Sequence, residues 1–154
     1  MAALTFSFGV MSAQDLASAT ATYNSGAEAL TMGNKTSALE YFQKALTMAE
    51  SLGEEGAEVV TNCKNAIPSV ILSIGKEFYN NKDFSNAKAK FVEAAEVAKK
   101  YGNEEVTAEV ESLLPTVGKR IALAKVNEAM KNKDIAGVLA GYEEAMAIDT
   151  TDAN

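Results

Sequence analysis

The sequence contains no His and only one Cys among its 154 residues. The lack of His removes the side chain that most often acts as a general base and as a metal ligand. The single thiol, Cys63, excludes an intrachain disulfide and any Cys cluster that would hold zinc or an iron–sulfur centre. We therefore expect no metal centre and no cofactor.

The one thiol lies at helical spacing from Val59, Val60 and Ile67, which predicts that Cys63 packs in a core. A reactive thiol is the alternative interpretation. Lys64 is the one basic residue beside it, and burial among aliphatic side chains raises the pKa of a thiol. These surroundings favour an inert, buried thiol.

Basic residues are too few for a polyanion-binding protein. The chain has 14 Lys and Arg against 21 Asp and Glu, which gives a formal net charge of −7. A nucleic acid requires a concentrated basic face, and an anionic membrane surface attracts the same charge. The composition therefore argues against nucleic-acid binding and against adsorption to an anionic membrane.

Proline is also scarce, with two residues, and no stretch alternates apolar with polar residues as a half-buried strand does. The chain is 47% hydrophobic and rich in Ala, Glu, Lys and Leu, which favour helix. The length suits one domain. We predict a single all-α domain over residues 14–154.

The first 13 residues carry no charge and include Leu4, Phe6, Phe8 and Val10. This stretch is typical of the end of a secretory signal peptide, and it is too short to span a bilayer, which takes about 20 apolar residues. We expect a signal-peptide remnant at 1–13, no transmembrane segment, and a periplasmic or secreted protein. No Lys or Arg precedes Leu4, so this interpretation expects further residues upstream of Met1. A hydrophobic N-terminus packed on the first helix is the alternative.

A repeated pattern of small and aromatic residues organises the rest of the chain. In the stretch from Asn80 to Gly102, these residues recur at spacings of four, three and four, which places them on one face of a helix. The same pattern stands 49 residues earlier and, more weakly, 51 residues later. The three copies are Ala87, Phe91, Ala94 and Ala98; Ala38, Phe42, Ala45 and Ala49; and Tyr142 with Ala145. The chain is therefore predicted to be a repeat protein with units at about 15–52, 55–101 and 104–149.

Each unit is predicted to contain two helices. In the first unit they cover 15–32, with Asp15 as N-cap, and 36–52, with Gly53 as C-cap. The apolar spacing continues through Pro68 in the second unit and through Pro115 in the third. A long helix kinked at each Pro is favoured, and two short helices with Pro in the first turn of the second are the alternative.

This pattern resembles the tetratricopeptide repeat, a 34-residue helix–turn–helix unit. The resemblance rests on a small residue, Phe or Tyr four positions later and Ala three positions after that, following Gly-Asn or Lys-Asp at a helix junction. In the second unit Ile74, Gly75 and Phe78 match the family's Leu, Gly and Tyr. In the first unit Gly26 holds the matching glycine position, and Ala29 replaces the aromatic residue.

The third unit keeps Asp134, Tyr142 and Ala145 but has Val126 and Val138 where the family has small residues. Units of 49 and 51 residues resemble a long-helix variant found in exported Gram-negative proteins. The resemblance implies a right-handed α–α superhelix of about three helix pairs, whose first helices line a concave surface.

The resemblance also implies a groove that binds a peptide or protein segment. The family's groove-facing positions hold basic, amide and aromatic residues here, which suits an acidic or C-terminal peptide segment. These positions are Tyr23, Asn24, Lys76, Tyr79, Asn80, Arg120, Asn127 and Lys131. Ordinary solvated helix faces are the alternative. The family's clamp on a terminal carboxylate is not reproduced, since Tyr23 and Ala27 occupy its first-repeat positions, so chaperone binding is not implied.

The favoured function is a non-catalytic interaction scaffold of the bacterial cell envelope. One alternative is a small-molecule or lipid carrier with an apolar concavity near Phe78, Tyr79 and Met130. The other is an enzyme based on the adjacent acids Glu54-Glu55, Glu104-Glu105 or Glu143-Glu144, but neighbouring helical residues point about 100° apart. Repeat arrays normally close with a capping helix. The last helix would be left uncovered, so we expect either that the chain is cut short at this end or that a partner or a second copy of the chain contacts it.

Overall fold

The computed structural model describes the backbone of residues 7–151 and the side chains of residues 13–148. Within this range the chain is all-helical and has no strand, which confirms the prediction of an all-α chain. The helices are α1 (Ser7–Thr31), α2 (Lys35–Glu50), α3 (Ala57–Asn80), α4 (Phe84–Tyr101), α5 (Glu104–Lys131) and α6 (Ile135–Thr151), with a 3-10 turn at Gly53–Gly56.

The six helices form an open array in which each helix packs against its neighbours in the sequence. In addition, α1 contacts α3 and α3 contacts α5, whereas over residues 7–151 no contact joins α2 to α4, α4 to α6, or α1 to α6. The first helices of the three pairs therefore form one layer, and the second helices form another. A closed bundle is excluded because its first and last helices would meet.

Pro68 lies inside α3 and Pro115 inside α5, and both helices continue through the proline. The alternative of two short helices at each site is therefore excluded. Pro cannot donate the usual hydrogen bond to the preceding turn. Apolar side chains are buried on both sides of each proline, among them Ile67 and Ile71 in α3, and this packing keeps the helix continuous.

Two predicted helix ends are wrong. Asp15 is not an N-cap, because the helical backbone of α1 already includes residues 7–14. The predicted boundary between residues 13 and 14 also falls inside α1, and residues 1–6 lie outside the described part of the chain. Gly53 is not the C-cap of α2, which ends at Glu50 with Ser51 as its cap. Gly53 has a φ of +61° and instead begins the 3-10 turn that leads into α3.

The same two-residue motif forms four of the helix junctions. The first residue has a left-handed φ, and the amide of the second donates to the carbonyl five residues earlier, at 2.8–2.9 Å. The side chain of the second residue then caps the next helix by accepting a hydrogen bond from an amide one turn on. The pairs are Gly33-Asn34, Lys82-Asp83, Gly102-Asn103 and Lys133-Asp134. Such short junctions force consecutive helices to pack against each other.

The predicted repeat pattern forms the core of the first two units. Both Phe residues are 1% exposed, and the six Ala residues of the pattern are fully buried. Each Phe lies on a glycine of the preceding helix: a Cβ added to Gly26 would come within 2.7 Å of the Phe42 ring, and one added to Gly75 within 2.6 Å of the Phe91 ring. Glycine is therefore required beneath each aromatic ring.

In the third unit the bulky and the small residue exchange helices. Val126, which stands 51 residues after Gly75, is 2% exposed and lies against Gly141 of α6. A Cβ on Gly141 would come within 2.5 Å of Val126 Cγ2. Tyr142 therefore cannot occupy the place of Phe91 and is 42% exposed, whereas Ala145 is buried as predicted.

We expect Phe91→Ala to lower the free energy of unfolding by about 3 to 5 kcal/mol, because it leaves a cavity over Gly75. Ala87→Leu should also destabilise, since no volume is free at that fully buried position. Urea unfolding followed by circular dichroism measures both changes. Tyr142→Ala is the matched control from the third unit and should have a much smaller effect. Equal effects of Phe91→Ala and Tyr142→Ala would contradict the packing described here.

Lys82 and Lys133 have φ values of 63° and 58°, a conformation that glycine adopts without strain. We expect Lys82→Gly and Lys133→Gly each to raise the free energy of unfolding by about 0.5 to 1 kcal/mol. Lys88→Gly in the interior of α4 is the control and should lower it by about 1 kcal/mol. A loss of stability at all three positions would show that the left-handed junctions carry no strain.

Candidate protein-binding surface

The eight predicted groove residues all lie on the first helices α1, α3 and α5. Six are exposed, namely Asn24, Lys76, Asn80, Arg120, Asn127 and Lys131. We call the solvent-facing side of the layer formed by α1, α3 and α5 the inner face. The six residues therefore come from three consecutive helices of one layer.

The two tyrosines of the predicted set are half-buried and pack within helix pairs. The Tyr23 ring lies 5.2 Å from the Phe42 ring, centroid to centroid, at a tilt of 45°. The Tyr79 ring meets Phe84 edge-on at 5.4 Å. These distances fall within the favourable range for aromatic pairs. Each tyrosine therefore stabilises its own helix pair and leaves only part of its ring for a ligand.

Lys76 forms an ion pair with Glu109, with Nζ and Oε1 2.5 Å apart. The pair joins α3 to α5 across the layer of first helices, so Lys76 does lie between two first helices. The neighbouring carboxylate offsets its positive charge. Of the three basic residues in the predicted set, Lys76 therefore adds the least to a positive potential.

Arg120 and Lys131 follow Glu109 along α5 at two successive intervals of 11 residues. Eleven residues make about three helical turns, so the three side chains share one side of α5 at intervals of about 16 Å. At physiological salt, charges interact over about 8 Å. The basic groups of the inner face therefore form a row of separate contacts and not a single cluster.

The part of α5 around Arg120 combines basic and apolar groups. Arg120, Lys119 and Leu123 border a surface cavity of about 340 Å³, together with Pro115 and Thr116. A carboxylate placed there would meet basic groups beside an apolar side chain. The sequence analysis identified Arg120 but not Lys119 or Leu123. It treated the residues around Pro115 only as a bend in the helix.

Four other lysines pair with acids of an adjacent helix. Lys35 pairs with Glu77, Lys64 with Glu50 at 3.4 Å, Lys99 with Glu111 at 2.9 Å, and Lys125 with Glu144 at 2.7 Å. All are at least partly exposed, and such pairs are worth less than about 1 kcal/mol each. These ion pairs add little to the stability of the fold. Their main effect is to favour one orientation of each helix against its neighbour.

The adjacent acids of the enzyme alternative lie on exposed helix ends or sides. Glu54 and Glu55 belong to the 3-10 turn, and Glu104 and Glu105 to the first turn of α5, where negative charge is favoured. Among the described side chains, no three acids or thiols are placed to hold a metal ion. Over the same residues, no helix has the length and apolar character needed to cross a bilayer.

Cys63 is fully buried in the core, as predicted. Burial raises the pKa of its thiol to about 11, so the sulfur remains protonated at neutral pH. The carrier alternative places an apolar concavity near Phe78, Tyr79 and Met130. Phe78 and Tyr79 are half-buried and pack against the core, and Met130 is 49% exposed.

Four large apolar residues of α6 are exposed, and of these the sequence analysis named only Tyr142, as a buried position of the repeat pattern. They are Ile135, Leu139, Tyr142 and Met146, which are 84%, 60%, 42% and 60% exposed. Their spacing of four, three and four places them on one side of α6, and we call them the α6 stripe. The sequence analysis did predict an uncovered side on the last helix.

Comparison of the chain with known protein families, with curated proteins and with solved structures gave no match.

Proposed function

We propose that the protein is a non-catalytic scaffold that binds an acidic segment of another protein on its inner face. The observation that carries this proposal is the open layer of α1, α3 and α5, in which consecutive first helices contact each other while the second helices do not. First helices that lie closer together than second helices make a curved array with the inner face on its concave side. A concave surface of this kind suits an extended peptide.

The chemistry of the inner face favours a peptide with carboxylate groups. Arg120 and Lys131 are exposed and lie about 16 Å apart, a distance that about five residues of extended peptide span. Asn127 lies between them in sequence and adds an amide that donates and accepts hydrogen bonds. A peptide with two acidic groups at this separation, or one acid and a terminal carboxylate, would meet both cations.

We infer membership of the tetratricopeptide repeat family, in its long-helix form, from local packing. Phe42 on Gly26 and Phe91 on Gly75 repeat the small-residue and aromatic positions of that family in two successive units. The exchange of Val126 and Gly141 is a departure in the third unit. The right-handed superhelical path belongs to the same proposal, as does a location in the periplasm or outside the cell.

The binding proposal is tested by comparing two matched double variants. Arg120→Ala with Lys131→Ala removes two exposed cations of the inner face, whereas Lys44→Ala with Lys88→Ala removes two exposed cations from the second helices. The probe is a library of synthetic peptides of about ten residues that varies the spacing of Asp and Glu and the C-terminal group. Binding to the immobilised chain is measured at low and high salt.

We expect the wild type to retain acidic peptides and the inner-face variant to lose roughly tenfold or more in affinity, together with part of the salt dependence. The second-helix variant should bind like the wild type. Both variants should unfold within about 0.5 kcal/mol of the wild type, since exposed charges contribute little to stability. Equal losses for the two variants, or no preference for acidic peptides, would refute an inner-face site.

Export is tested in a Gram-negative host with the gene expressed from its natural start. We expect the protein in the periplasm or the medium, with a mature N-terminus near residue 14, because the uncharged apolar stretch at 1–13 favours translocation. N-terminal sequencing of the purified protein measures this. Phe6→Arg with Phe8→Arg should hold the chain in the cytoplasm. An unprocessed wild type found in the cytoplasm would contradict export.

A further inference from the structure

One side of α6 packs against α5 as far as the last described side chain. A Cβ added to Gly141 would come within 2.5 Å of Val126 Cγ2, and one added to Gly118 of α5 within 3.1 Å of Ile148 Cδ1. The residues on this side of α6 recur at spacings of four, four and three, as residues on one helical face do. They are Gly137, Gly141, Ala145 and Ile148. The next position in the series is Asp152.

The two contacts show that α6 runs antiparallel to α5, since the later residue of α6 meets the earlier residue of α5. One helical turn beyond Ile148 is therefore level with a point about one turn before Gly118. Pro115 stands at this point and borders the surface cavity of about 340 Å³ beside Arg120. The chain that follows Ile148 therefore starts next to this cavity.

Charge favours a contact between that part of the chain and the cavity. Residues 149–154, which we call the 149–154 segment, contain Asp149 and Asp152 and no basic residue. Lys119 and Arg120 border the cavity. The last turn of α6 has no basic residue. A carboxylate near the C-terminal end of a helix is disfavoured by the helix dipole, and a nearby cation offsets this effect.

The end of α2 shows how this chain provides such a cation. Glu50 is the last residue of α2, and its carboxylate lies 3.4 Å from Nζ of Lys64 on the first helix α3. By contrast, α4 ends with Lys99 and Lys100, which suit the helix dipole without a partner. An acid at the end of a second helix therefore pairs with a lysine of a neighbouring first helix.

We propose that the 149–154 segment places its carboxylates against Lys119 and Arg120 of the same chain and thereby competes with the acidic segment of a partner. This inference rests on the proposed function, because Arg120 is one of the two cations that the partner is expected to meet. Asp152 is the main contact, since its position continues the side of α6 that packs on α5. A partner then binds by displacing the 149–154 segment, so its apparent affinity falls with the fraction of time that the segment occupies the cavity.

The competition makes the inner face more selective. Lys131 lies about 16 Å from Arg120 along α5, on the far side of Arg120 from Pro115. A peptide with two acids at this spacing gains a contact with Lys131 that the 149–154 segment does not make. A peptide with one acid has no such advantage and is excluded.

A zero-length carbodiimide cross-linker tests the contact itself, because it joins a carboxylate to an amine only where the two groups touch. Mass spectrometry of the digested chain identifies the linked residues. We expect links from the 149–154 segment to Lys119 and, in the charge-preserving variant Arg120→Lys, also to residue 120. The ion pair of Lys125 and Glu144, with its atoms 2.7 Å apart, is the positive control.

A mixture of isotopically labelled and unlabelled chains separates links within one chain from links between copies. We expect links within one chain. If Lys125 and Glu144 are linked while the 149–154 segment reaches neither position 119 nor position 120, the proposed contact is absent. Links found mainly between copies would also overturn the proposal.

The competition is tested with a matched pair of double variants. Asp149→Asn with Asp152→Asn removes both carboxylates and nearly preserves the side-chain shapes. Glu40→Gln with Glu143→Gln removes two exposed carboxylates of α2 and α6 and changes the net charge equally. The probe is the acidic synthetic peptide that the wild type retains most strongly, and circular dichroism checks that both variants keep their helix content.

We expect the variant of residues 149 and 152 to bind this peptide roughly threefold or more tightly than the wild type, because the competing carboxylates are gone. The control variant should gain much less. Equal gains, or no gain in a wild type that does bind acidic peptides, would overturn the competition and leave the proposed function standing. A failure of all three chains to bind acidic peptides would instead refute the proposed function, and the competition with it.

Discussion

In the first two units, the contact between an aromatic ring and a bare glycine backbone determines how the two helices of a pair meet. Phe42 on Gly26 and Phe91 on Gly75 leave no room for a Cβ, so the two helices of each pair approach closely and in one register. The buried Ala residues on the same helix sides maintain this close approach along the pair. Every larger feature, from the two layers to the exposed inner face, depends on this register.

The ion pairs explain why an acidic protein can still present basic groups selectively. Lys35, Lys64, Lys76, Lys99 and Lys125 are all engaged by carboxylates of another helix. Their charges are therefore offset locally. Arg120 and Lys131, which are exposed on α5, become the most distinctive cations of the inner face. Selectivity for an acidic segment would come from their spacing and not from net charge.

Helix spacing in the sequence predicted that the chain is all-helical and that the Ala and Phe residues of the repeat pattern are buried in the first two units. The prediction was possible because the residues on one buried side of a helix recur every three or four positions, whatever that side packs against. The ends of α1 and α2 were less predictable. Asp and Gly are common cap residues, but the local backbone conformation decides whether Asp15 and Gly53 act as caps.

The candidate site was predictable only as a set of positions. The sequence placed Lys76 on a first helix, but its pairing with Glu109 depends on how α3 and α5 are brought together by α4. The exchange of Val126 and Gly141 has the same origin: a valine in a glycine position is visible in the sequence, whereas the glycine that accommodates it lies on another helix. Such compensations are properties of contacts and not of residue types.

The pattern of helix contacts also shapes how the chain folds. Each helix meets only helices one or two places away in the sequence, so few long loops must close before contacts form. Folding can then begin in one helix pair and spread to its neighbours, and partial unfolding can begin at either end. The middle pair, which has neighbours on both sides, should exchange its backbone amides most slowly with solvent. The α1–α2 pair and the α5–α6 pair should open more readily, because over the described residues each contacts a neighbouring pair on one side.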